Sequence, residues 1–136
     1  MVPQINKDLQ FTIEKWLRNP NAKENDKSQP LVLFEINVTY QGRSFVIYRR
    51  YTDFLVLHDN FTKRKDDPII EISKTFPPKL FGDSNLDSIQ LEYRRSILQD
   101  FLDKVSLYHN RIVAQTISAE LFERFLTIQV KTKIKF

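Results

Sequence analysis

Arg49-Arg50-Tyr51-Thr52-Asp53-Phe54, Phe76-Pro77-Pro78-Lys79 and Arg94-Arg95 are the three short runs of this chain that could do chemistry. None is distinctive alone. Together they offer cationic side chains and an aromatic ring from three places in the chain that one fold could bring to one pocket. A guanidinium at Arg50 stays charged at any cellular pH and can hold a phosphate through two parallel N–H bonds. The ring of Tyr51 could wall the apolar face of a sugar-like ring. Pro77-Pro78 stiffens the backbone into an extended rod, which would hold the Lys79 ammonium in place. Such a set suits a small polyanion on a ring, with an inositol phosphate headgroup as the natural candidate. Each run also has a plain reading. Arg49 and Arg50 could be solvated strand-end charges, with Tyr51 in the core. Lys79 could be an ordinary loop lysine. Arg94-Arg95 could lie on a solvated helix face, with Glu92 as an ion-pair partner for Arg95.

The elements that must position these residues follow from hydrophobic period. Leu9, Phe11 and Ile13 alternate, so residues 9–16 read as a first strand. Residues 19–30 are polar and close on Pro30, which reads as a flexible surface loop. In residues 31–40, Val32, Phe34, Ile36, Val38 and Tyr40 share one face of a second strand. Gln41-Gly42-Arg43 is a tight turn, and residues 44–50 return as a third strand with Phe45 and Ile47 on one face. The period then changes. Phe54, Leu57 and Phe61 predict a helix from Thr52, its expected N-cap, to residues 63–65. Asp66-Asp67-Pro68 breaks it, and residues 68–83 are expected to be a long non-helical, proline-rich connection. A long helix follows, capped within residues 84–87, with an inward stripe of Ile89, Tyr93, Ile97, Phe101 and Val105, and Leu98 and Leu102 beside it. Tyr108-His109-Asn110 ends it. Residues 112–126 form a last helix with Ile117, Leu121, Phe122 and Phe125 inward. The fold class is α+β: a three-stranded antiparallel meander packed on a helical subdomain.

The 136 residues suit one domain, with a core of about residues 9–126 and a basic tail of 127–136. Apolar content of 41% is enough for a packed interior. Two glycines argue against a glycine-rich phosphate loop, and the lack of Cys removes disulfide and thiolate chemistry. His58 and His109 are far apart, without metal-ligand spacing, so neither a metal nor a cofactor is expected. No nucleophile–base set points to an enzyme. No apolar run approaches the ~18 residues of a membrane span, and a cytosolic protein is expected. A net charge of +4 permits an anionic partner. Nothing resembles a recognition helix or a stacking sheet for nucleic acid.

Three motifs in order carry a resemblance: Phe45-x-Ile47-x-Arg49-Arg50-Tyr51-Thr52-Asp53-Phe54, Phe76-Pro77-Pro78-Lys79-Leu80-Phe81-Gly82 and Glu92-Tyr93-Arg94-Arg95-x-x-Leu98-x-x-Phe101-Leu102. Across residues 9–126 the chain resembles the Phox-homology (PX) domain family, found among sorting nexins. The resemblance implies a phosphoinositide-binding module for membrane trafficking, most often reading phosphatidylinositol 3-phosphate. It implies peripheral attachment to endosomal or vacuolar membranes, with trafficking proteins as further partners. It gives Arg50 the 3-phosphate, Tyr51 the underside of the inositol ring, Lys79 the 1-phosphate and Arg94 the 4- and 5-hydroxyls. It makes Arg49 and Arg95 structural or peripheral. Leu80 and Phe81 would enter the bilayer, although Phe81 could instead cap the domain's own core. Arg43 and residues 63–65 would supply a cationic rim. The chain departs from the family where Pro78 is followed by no second proline in a Pro-x-x-Pro, and where Thr52 replaces a basic residue of some members. The alternative is a PX-type protein-interaction module with weak or broad phosphoinositide binding, using Tyr40, Tyr48 or the face of the last helix.

Overall fold

The computed structural model describes residues 8–18, 32–64, 69–74, 76–77 and 86–127. The loop of 19–30, the breaker at 66–68, Pro78, Lys79, Leu80, Phe81, Ser84 and the tail from 128 onward lie outside these residues.

Three antiparallel strands, β1 (Leu9–Arg18), β2 (Val32–Tyr40) and β3 (Arg43–Arg49), pair in sequence order. Gln41 and Gly42 both take positive φ, 52° and 79°. That is the two-residue hairpin geometry whose twist matches the strands it joins. The register places Ile13 opposite Ile36, and Ile36 opposite Ile47. This row continues the buried face that alternation predicts. A bulge between Ile13 and Lys15 shifts the alternation, so Trp16 rather than Lys15 pairs with buried Phe34.

The helices are α1 (Tyr51–Thr62), α2 (Ile69–Ser73), α3 (Ser88–Leu107), α4 (His109–Val113) and α5 (Thr116–Leu126). Four expectations need correction. Helix α1 starts one residue before Thr52, and Arg50 is its N-cap. The Asp53 carboxylate accepts the Arg50 N–H at 2.7 Å, which satisfies the entering backbone without Thr52. The connection after α1 is not wholly non-helical: Ile69 and Ile72 bury one face of the short α2. Residues 108–126 are two helices, because the chain turns at Tyr108 and again at Ala114-Gln115. Ile117 is exposed, and Ser118 takes the inward position, bonded to Asn60 and Gln115.

The fourth correction concerns α3. Its buried face is Leu91, Arg94, Leu98, Phe101, Leu102 and Val105, while Ile89 and Tyr93 point outward. The cause lies at the open edge of β1. Gln99 Oε1 accepts the Ile13 N–H at 2.7 Å, and Gln99 Nε2 donates to the Phe11 carbonyl at 2.8 Å. An Arg95 guanidinium N–H donates to the Ile13 carbonyl at 3.1 Å, and the Ser106 hydroxyl to that of Leu9. Polar side chains of α3 thus serve as the missing neighbour strand. Arg95, Gln99 and Ser106 lie within about 40° of one another on the helical wheel, and this row sets the rotation of α3.

Phe54 sits at the centre of the core, fully buried, with ring centroids 6.0 Å from Phe34 and 5.1 Å from Phe125. It joins sheet, α1 and α5. Phe54→Ala is expected to cost about 3–5 kcal/mol in a denaturant unfolding series.

Candidate functional site

The site begins where β3 gives way to α1. Arg49 and Arg50 are neighbours in an extended segment, so their side chains leave in opposite directions. Arg49 turns into the scaffold. Its Nε donates to the Phe125 carbonyl at 2.7 Å, and its guanidinium also reaches the carbonyls of Tyr48 and Thr127. A cation on the last carbonyls of a helix satisfies acceptors that have no intrahelical donor. Burial lowers the Arg49 pKa, against the opposing pull of Asp53.

Arg50 turns out. Its side chain is 47% exposed and 3.9 Å from Asp53, a loose exposed pair that contributes little stability. The first turn of α1 lies beside it, where unpaired N–H groups and the helix dipole favour an anion.

Tyr51 is buried, 5% exposed. Its hydroxyl donates to the Pro77 carbonyl at 2.7 Å. One neighbour is the Phe76 ring, with centroids 5.4 Å apart. Another is Arg94, whose guanidinium carbon lies 4.1 Å from the Tyr51 ring centroid. Arg94 is 4% exposed, and the π-face of Tyr51 is one of the partners that compensate its burial. All buried side-chain nitrogen and oxygen atoms among the described residues have a hydrogen-bond partner.

Phe76, to which sequence reasoning gave no role, anchors the proline segment. It stacks on His58 at 4.3 Å and meets Phe101 edge-on at 5.1 Å. His58 Nε2 donates to the Ser73 carbonyl at 2.8 Å, tying α1 to the end of α2. The available signal was position: an aromatic residue directly before Pro77-Pro78.

The structure therefore brings Arg50, Tyr51, Arg94 and the Pro77 backbone to one place. Lys79, Leu80 and Phe81 lie outside the described residues, just beyond Pro77. Arg95 bonds Glu92 at 2.7 Å and the β1 edge, so it belongs to the scaffold. That hydrogen bond lowers the Glu92 pKa and raises that of Arg95. The expected rim needs correction. Arg43 is at the far end of β3 from Arg50, and Lys63 is at the far end of α1. Arg64 donates to the Arg111 carbonyl at 3.0 Å and to the Ser118 hydroxyl at 3.3 Å. Arg18, bonded to the Leu86 carbonyl, does share the site's end of the molecule.

The candidate site is thus an exposed arginine at a strand–helix junction, followed in the chain by a buried tyrosine that carries a second, buried arginine. Comparisons with known proteins give the family. A family model described as the PX domain matches residues 37–129, and the chain belongs to that family. It is thus a phosphoinositide-binding, membrane-targeting module of a generally non-catalytic kind, suited to peripheral membrane association. An X-ray structure of a designed CISK-PX domain resembles it with a TM-score of 0.57 and 29% identity, over 87% of this chain and 98% of that one. No curated protein sequence matches. Among the described residues, no helix is long and apolar enough to cross a membrane.

The two neighbouring arginines should separate cleanly by experiment. Arg49→Ala removes three hydrogen bonds to carbonyls and is expected to destabilise the domain by about 1–3 kcal/mol. Arg50→Ala should leave the melting temperature nearly unchanged. Thermal unfolding of the two variants beside the wild type checks both expectations.

Proposed function

We propose that this PX domain reads phosphatidylinositol 3-phosphate and attaches its protein to endosomal or vacuolar membranes in membrane trafficking. One observation carries the reading: buried Arg94 rests on Tyr51, and exposed Arg50 stands directly before that same tyrosine. Arg50 holds the 3-phosphate, where an exposed fork meets a helix N-terminus. Tyr51, with the Arg94 guanidinium on its ring, lies in the floor beneath the inositol. Arg94 bonds the 4- and 5-hydroxyls. That division suits its burial, because neutral hydroxyls ask for directed N–H donors rather than for a free charge. Lys79, two residues beyond the anchored Pro77, binds the 1-phosphate. Leu80 and Phe81 follow it into the bilayer and add apolar burial at about 25 cal/mol per Å². The alternative protein-interaction surface at Tyr40 and Tyr48 is weakened by their bonds to His109 at 3.1 Å and to Glu35 at 3.0 Å.

A panel of phosphoinositide-bearing vesicles tests this reading on the wild type. Preference for the 3-phosphate lipid supports it, and indifference to phosphate position favours the broad-binding alternative. Arg50→Ala should lose about 2–5 kcal/mol of headgroup binding while staying folded. Lys79→Ala and Arg94→Ala should each weaken binding, and Arg95→Ala much less. If Arg95→Ala abolished binding and Arg94→Ala did not, the assignment on α3 would be wrong.

Leu80→Glu separates insertion from recognition. It should reduce affinity for vesicles and leave titration with a soluble short-chain lipid almost unchanged. Equal losses in both would place Leu80 in the pocket or the core.

A further inference from the structure

We infer that Ile89 and Tyr93, on the outer face of α3, form a second apolar contact with the anionic lipid surface that holds the headgroup. This rests on the phosphoinositide reading of the Arg50–Arg94 site and extends it to a part of the molecule that reading does not use. Ile89 is 81% exposed and Tyr93 66%, the highest values among the exposed large hydrophobic residues described. They stand four residues apart, about 40° from each other on the wheel, so they make one stripe. Single exposed apolar residues are ordinary, but two adjoining ones beside a binding site ask for an occupant.

The position of the stripe identifies that occupant. Strand register puts Arg18 opposite Val32, and Phe34 opposite Arg49. Arg18 also bonds the Leu86 carbonyl, two residues before α3. The end of β1, the start of β2, the end of β3, the start of α1 and the start of α3 thus gather at one end of the domain. The hairpin turn of residues 41–42 is at the other end, where the Gln41 N–H bonds the Asp8 carbonyl. Ile89 and Tyr93 share the first end with Arg50, Tyr51 and Arg94. A lipid headgroup can enter a pocket there only if that end meets the bilayer, because its acyl chains stay in the membrane. The stripe is continuous with that contact: Tyr93 directly precedes Arg94, and the α3 rotation that sends Arg94 inward sends Tyr93 outward.

The local charges fit an anionic surface. Arg18 and Arg50 are cationic and exposed. Of the carboxylates beside the stripe, Glu92 is paired with Arg95 at 2.5 Å, and Asp87 accepts the Gln90 N–H at 2.8 Å as the cap of α3. Ser88, Ile89, Glu92, Tyr93, Arg95 and Ser96 line one shallow depression. Tyrosine is suited to this depth, with a ring for the acyl boundary and a hydroxyl for water.

The test compares wild type with the double variant I89S/Y93S, and with V46S/V56S as an exposed apolar control elsewhere on the surface. Two quantities are measured: binding to phosphatidylcholine–phosphatidylserine vesicles with and without phosphatidylinositol 3-phosphate, and titration with the soluble short-chain lipid. I89S/Y93S should weaken vesicle binding roughly tenfold and leave the soluble titration unchanged, while the control changes neither. Unchanged vesicle affinity would overturn the inference. Equal losses on vesicles and soluble lipid would make it part of the pocket and also overturn it. A wild type that ignores the soluble lipid would fail the pocket reading alone, since the vesicle comparison still reports on the stripe. In a Trp16→Phe background, Tyr93→Trp adds a direct readout. Brominated lipids should quench its fluorescence on vesicles, and unquenched emission from bound protein would overturn the contact.

Discussion

The open edge of β1 is the constraint on which this domain turns. A three-stranded sheet leaves a row of unpaired backbone groups along its edge, and such a row must be paired or covered. Helix α3 covers it with the side chains of Arg95, Gln99 and Ser106. Because these bonds are directional, they fix the rotation of α3 more tightly than apolar packing would. Everything else on the helix follows from that rotation. Leu91, Leu98 and Val105 meet the core, Arg94 meets Tyr51, and Ile89 and Tyr93 are left outside. A scaffold requirement at the sheet edge thus positions the arginine of the site.

The other half of the site is built by stacking. Pro77 has no backbone N–H with which to bond a neighbour. Phe76 supplies the location by sitting among His58, Tyr51 and Phe101, which come from α1 and α3. The bond from the Tyr51 hydroxyl to Pro77 then fixes the backbone at the point where the chain runs on toward Lys79. Tyr51 therefore has three tasks: it belongs to the core, anchors the proline segment and carries Arg94. Its burial is what makes the site stiff, because a ring held on several sides cannot move away from the guanidinium above it.

Much of the strand pattern was legible because alternation in a half-buried sheet is a direct consequence of geometry. Leu9, Phe11, Ile13, Ile36, Val38 and Ile47 all fall inside as alternation requires. Phe54, Leu57 and Phe61 likewise gave α1 its face. The face of α3 was misread for a physical reason. Its true inward row contains Arg94, a charge that any apolar count scores as outward, and its true outward row contains Ile89 and Tyr93, which the same count scores as inward. The rotation is decided by hydrogen bonds to β1, some eighty residues away in the chain, and local periodicity carries no trace of them. For the candidate site, Arg50, Tyr51 and Arg94 stand out as motif residues, and the contact between Arg94 and Tyr51 is what folding adds. Phe76 and the β1 edge do not stand out, because their roles exist only after folding.

Both basic pairs, Arg49-Arg50 and Arg94-Arg95, divide in the same way, and backbone geometry explains the division. Adjacent side chains diverge by about 180° on a strand and by about 100° on a helix. The two arginines of each pair here turn to different surroundings. In each pair one guanidinium is consumed by the scaffold: Arg49 closes the end of α5, and Arg95 bonds the edge of β1 and Glu92. Each scaffold arginine is also what orients the element carrying its neighbour. Arg49 ties the end of β3 to α5 and so fixes where Arg50 enters α1. Arg95 shares with Gln99 and Ser106 the bonds that set the rotation of α3, which turns Arg94 onto Tyr51. A doubled cation in this sequence is thus one scaffold contact beside one residue turned the other way, and Gln99 and Ser106 still hold α3 on β1 when Arg95 is replaced.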